Sequence, residues 1–64
     1  MTIPPDLAAA LAAKPVALRN FQAFPPSARK GFLYFVTGAK RPETRARRIA
    51  EVVRMCAKNR KPQL

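Results

Sequence analysis

The chain has no histidine, one cysteine, two glycines and only three acidic residues among 64. Each shortage removes a class of function. Without histidine it lacks the commonest general base and metal ligand. A lone Cys56 can make neither an ordinary zinc site nor an internal disulfide. Gly31 and Gly38 are the only glycines, so there is no Gly-rich phosphate loop. Asp6, Glu43 and Glu51 fall near expected helix starts or on an arginine-rich helix. Helix-end stabilisation and pairing at helical spacing (Glu43 with Arg47; Glu51 with Arg47, Arg48 or Arg54) account for them, and no carboxylate pair with separated roles is suggested. Cys56 has no candidate base and falls on an expected core face, so it reads as a small buried hydrophobe. No apolar run approaches the roughly eighteen residues of a membrane span. Residues 7–13 are apolar, but no basic segment precedes them and Pro4, Pro5 and Asp6 interrupt their start. A secretory signal is therefore not expected, and the simplest expectation is a cytoplasmic protein. The expected class is a non-enzyme, with no cofactor, no metal and no small-molecule substrate.

What the chain does have is alanine, proline and positive charge. Sixty-four residues bound the answer at one domain, with marginal stability unless a staple or partner helps. The hydrophobic fraction is 48%, but twelve of those residues are alanines, which favour helix and bury little area. The core must come from Leu7, Leu11, Leu18, Phe21, Phe24, Phe32, Phe35, Val36, Ile49, Val53 and Cys56. Thirteen basic residues give a net charge of +10, with +3 on residues 1–39 and +7 on residues 40–64. Such a field attracts polyanions: nucleic acid, anionic lipid or an acidic protein surface.

The prolines divide the chain into helices. Pro5, with Asp6 behind it, suits the first turn of a helix over about 5–13. Pro15 breaks or restarts the chain, and Leu18, Phe21 and Phe24 recur at helical spacing over about 16–23. Pro25-Pro26 is a hard stop. Ala28, Phe32, Phe35, Val36 and Ala39 share one arc of a helix over about 26–38, which Gly38 closes. Pro42 and Glu43 open the last helix, about 42–58, whose apolar stripe is Ala46, Ile49, Ala50, Val53, Cys56 and Ala57. Residues 59–64 read as a frayed basic tail. The expected fold is all-α: a bundle of three to four helices, the two longer ones forming a hairpin.

Arg47, Arg54 and Lys58 lie opposite the expected stripe of the last helix, and Arg41, Arg45 and Arg48 line its shoulder. These six are the anion- or partner-binding candidates, because guanidinium holds phosphate or carboxylate bidentately. The bland alternative is a solvated helix face. Leu33, Tyr34 and Val52 fall outside the apolar arcs and are the apolar interaction candidates. They can pack under the short helices, meet a partner, or hold a weak homodimer. Nucleic acid is the alternative partner to protein. Membrane insertion is not expected, because the apolar face of the basic helix is committed to the core.

Several segments are familiar. Asp6-Leu7-Ala8-Ala9-Ala10-Leu11, Phe21 through Ser27, Phe32-Leu33-Tyr34-Phe35-Val36 and above all Lys40-Arg41-Pro42-Glu43-Thr44-Arg45 with Arg47-Arg48-Ile49 resemble the C-terminal module of the bacteriocin-protection, YdeI or OmpD-associated family. The likeness covers about residues 5–57. Family members usually carry Trp-Ile where this chain has Phe35-Val36, and larger ones have a further N-terminal domain. The resemblance implies association with resistance to bacteriocins or cationic antimicrobial peptides. It supplies no catalytic residues. Some relatives are described as envelope-associated.

Overall fold

The structure, a computed structural model, describes residues 3–60. Its elements are α1 (Pro5–Ala12), α2 (Pro15–Ala23), α3 (Pro26–Thr37) and α4 (Pro42–Ala57). Among the described residues there is no strand, and the all-α reading stands with helix bounds within a residue of those expected. Every helix begins on a proline, and none has a side-chain N-cap. Proline at the first helical position presets φ and lacks an N–H that would have no intrahelical acceptor. Asp6 and Glu43 place negative charge in the first turns of α1 and α4.

The C-terminal end of α4 is built, not frayed. Asn59 sits at φ 58°, in the left-handed region. Its N–H donates to the Cys56 carbonyl at 2.9 Å, and the Arg60 N–H donates to the Met55 carbonyl at 2.8 Å. This is the left-handed closing turn of a helix, and asparagine is the residue after glycine best suited to it. Asn20 of α2 adds a third contact, donating from Nδ2 to the Cys56 carbonyl at 2.7 Å. The expected frayed tail is thus corrected for Asn59 and Arg60. Residues 61–64 lie outside the described residues.

One core joins all four helices. Leu7, Leu11, Ala17, Phe21, Phe24, Ala28, Phe32, Leu33, Val36, Ile49, Val52 and Cys56 are buried. Phe32 sits between Phe21 and Phe24, with ring centroids 6.2 and 5.9 Å away. Such aromatic pairs add to the area they bury. α4 packs most extensively against α2 and less against α1 and α3. α3 meets α4 directly, and Phe32 of α3 meets Phe21 of α2.

The buried face of α4 differs from the expected one. Ala46, Ala50 and Ala57 are exposed and Val53 is half-buried, while Val52 is fully buried with Ile49 and Cys56. The helix is turned by roughly a quarter turn from the alanine-rich stripe. Alanine gains little from burial, so the larger Ile49, Val52 and Cys56 set the face. The turn also brings Arg45 and Arg48 toward the bundle, where both find partners.

Candidate interaction surface

The arginine-rich segment divides into structural and free groups. Arg45 grips Asp6 at the start of α1: its Nε donates to Oδ2 at 2.5 Å and its Nη2 donates to Oδ1 at 3.1 Å. The Leu7 N–H also donates to Asp6 Oδ1, at 2.9 Å. The Arg45 guanidinium holds the Asp6 carboxyl below the usual aspartate range, and the Asp6 carboxylate raises Arg45 in turn. The pair ties the first helix to the last across 39 residues of chain.

Arg48 completes the end of α3. There the Gly38 N–H donates to the Tyr34 carbonyl and the Ala39 N–H to the Val36 carbonyl, so the Phe35 carbonyl between them is passed over. Arg48 Nη1 donates to it at 2.9 Å. Its guanidinium also lies 5.0 Å over the Phe35 ring. One side chain thus satisfies an orphan carbonyl, sets positive charge at the negative end of the α3 dipole and covers a half-buried ring. Gly38 leaves room for this junction: a Cβ there would stand 3.0 Å from the Tyr34 carbonyl oxygen and 3.7 Å from Arg48 Nη1.

The other candidates lie outside. Arg54 pairs with Glu51 on the surface, while Arg41, Arg47 and Lys58 are exposed. The expected Glu43–Arg47 pair is not among the ion pairs of the described residues. The six basic candidates therefore do not form one sheet of free charge. Two are structural, one is neutralised locally, and three remain.

The apolar candidates also divide. Leu33 is 7% exposed and Val52 is fully buried, so neither offers a surface to a partner or to a second copy. Both belong to the core because α3 and α4 are turned from the arcs counted on the sequence. Tyr34 is 62% exposed, with the Lys30 ammonium 5.6 Å from its ring centroid. Lys30 is the residue that the sequence reading passed over. Its signal was the four-residue spacing to Tyr34, which stacks two side chains on one helix face.

Among the described residues, no nucleophile is hydrogen-bonded to a base. Burial pushes the Cys56 thiol up to about 11, and the side chain is inaccessible. Asp6 and Glu51 are occupied by arginines. An open cleft of about 360 Å³ is lined, among the described residues, by Ile3, Phe21, Gln22, Pro26 and Arg29, none of which carries a carboxylate, thiol or hydroxyl. Among the described residues, no helix is long and apolar enough to cross a membrane.

The sequence model for the bacteriocin-protection, YdeI or OmpD-associated (OmdA) family matches residues 1–59. The chain belongs to that family. No curated protein sequence and no solved structure matches the chain. Within this OmdA chain, the segment that resembles the family's hallmark is where Arg45 and Arg48 tie α4 to α1 and α3.

Proposed function

We propose that this OmdA-family chain is a non-catalytic interaction module that binds an acidic surface of another protein, in service of protection against bacteriocins. The observation that carries this reading is a long stretch of chain whose positive charge has no acidic residue within it. Between Asp6 and Glu43 the chain has Lys14, Arg19, Arg29, Lys30, Lys40 and Arg41 and no acidic residue. All but Arg29 are exposed. The direction of the charge also bears on how protection is exerted. A chain of +10 repels a cationic peptide, so sequestering one is disfavoured and an acidic component of the cell itself is the fitting partner. The absence of histidine, the pairing of Asp6 and Glu51 with arginines and the buried thiol support the non-catalytic part of the reading.

Nucleic acid is the competing partner, and the exposed Arg41, Arg47 and Lys58 favour it. Against it, Arg45, Arg48 and Arg54 already have protein acceptors. Capture from native lysate, with and without nuclease, tests the choice. The bound partner is expected to survive nuclease, to be released by high salt and to be lost with Tyr34→Ala. Duplex DNA at physiological salt is expected to bind no tighter than about 10⁻⁴ M. Tight, steeply salt-dependent duplex binding that ignores Tyr34→Ala overturns the proposal.

A further inference from the structure

We infer that the docking face is the outer side of α3, with Lys30 and Tyr34 at its centre and Lys40 and Arg41 at its C-terminal end, and that its occupant is an acidic segment of a partner protein. This rests on the reading above and assigns it to a surface away from the arginine-rich helix.

The two outward faces differ in whether carboxylates stand among their cations. The outward face of α4 carries Arg47, Arg54 and Lys58 together with Glu43 and Glu51, and Glu51 is in contact with Arg54. Its five charges sum to +1, with the two carboxylates interleaved among the three cations. α3 carries no acidic residue, nor does the segment that follows it up to Arg41. Ser27, Lys30, Tyr34 and Thr37 share its outward side and are all exposed. Lys40 and Arg41, also exposed, continue the positive charge beyond Gly38.

Lys30 and Tyr34 form a ready carboxylate receptor. The ammonium, 5.6 Å from the ring centroid, is held by the cation–π contact and gives up less freedom on binding than a free lysine. A carboxylate beside the pair accepts from Lys30 Nζ and from the Tyr34 hydroxyl, two donors one helical turn apart. The ring supplies the flat, amphipathic contact area that marks strong interface positions. Other polyanions fit less well. Single-stranded nucleic acid is held by a series of stacking rings; here Phe21, Phe24 and Phe32 are buried and Phe35 lies under Arg48. A lipid surface needs apolar side chains to insert, and the only large exposed hydrophobic residues described are Val16 and Tyr34.

The test uses the full chain, labelled with nitrogen-15. It is titrated with a twelve-residue polyglutamate peptide, matching α3 in residue count, and separately with single-stranded DNA of equal length and anionic lipid vesicles. Amide shifts from the peptide are expected to concentrate on residues 27–41. Lys30→Ala and Tyr34→Ala are each expected to weaken peptide binding by about fivefold or more, and Arg54→Ala by much less. Both residues are exposed, so circular dichroism should match the parent. Peptide binding with shifts centred on Arg47, Arg54 and Lys58 overturns the face while leaving an acidic protein partner in place. No peptide binding alongside DNA or vesicle binding overturns the partner class as well. Absence of binding to all three overturns the docking face.

Discussion

Arg48→Met removes the group that closes α3 and should destabilise the fold without touching the proposed partner face. A charge-assisted hydrogen bond to a carbonyl otherwise left unpaired is worth about 1.5–3 kcal/mol. The cation over the Phe35 ring adds about 0.5–1 kcal/mol, and positive charge at a helix C-terminus about 0.3–1 kcal/mol. The three contributions come from one group and overlap, and Arg48 is partly exposed, so a total of about 2–3 kcal/mol is the reasoned expectation. A domain of this length has only about 3–10 kcal/mol in hand. Each kcal/mol shifts Tm by about 4–8 °C at this size, so the midpoint should fall by about 10–20 °C. Thermal melts followed by far-UV circular dichroism measure this directly. Arg47→Met is the matched control, since Arg47 is exposed and has no ion pair among the described residues; its cost should stay within about 0.5 kcal/mol. Arg48→Lys should fall between the two. It keeps charge near the end of α3 but loses the planar group that spans carbonyl and ring. If Arg48→Met melts like Arg47→Met, the structural role of Arg48 is refuted, and the residue returns to the pool of free surface cations.

Val52→Ala should cost about 2 kcal/mol, whereas Ala50→Ser should be within about 0.5 kcal/mol; urea unfolding of the two variants checks which side of α4 is inward. Cys56 should resist alkylation in the folded protein at neutral pH, because the thiol is buried and pushed up to about 11; its modification rate in increasing urea should follow unfolding, and rapid native labelling would contradict the burial. The Asp6–Arg45 pair should make stability acid-sensitive. The carboxyl is lower in the folded state than in the unfolded chain, so its contribution is full above the ordinary aspartate value of about 3.9 and fades as pH falls through the folded value. Asp6→Asn should remove that part of the acid dependence in melts recorded from neutral to acid pH.

The legible part of the fold came from punctuation. Pro5, Pro15, Pro26 and Pro42 each occupy the first position of a helix. Proline's fixed φ and missing N–H are local properties, so they can be read without any tertiary information. The end of α4 was less legible. Asn59 in the left-handed region is an uncommon use of a residue that also suits open loops. Its closing turn is further supported by Asn20 from a different helix.

The faces were harder than the bounds, because an apolar arc counts residues and burial counts area. Three alanines pulled the expected stripe of α4 toward Val53. Val52, Ile49 and Cys56 pulled the actual face the other way. On α3 a similar shift sends Leu33 inward and leaves Phe35 half-buried beneath Arg48. That shift is tied to the arginines. A guanidinium is long enough to bury its stem and deliver its head to a specific acceptor, and in a chain of this size helix ends supply many of those acceptors. Arg45 meets the first turn of α1 and Arg48 the last turn of α3, contacts spanning 39 and 13 residues that no local pattern announces. A run of arginines on a short helical protein therefore has to be discounted for the acceptors its own helix ends provide before it is read as a binding surface. After that discount, Arg41, Arg47 and Lys58 are left around the last helix beside Glu43, whereas no carboxylate stands among the cations on and just after α3, and the surface to probe first is the one around Lys30 and Tyr34.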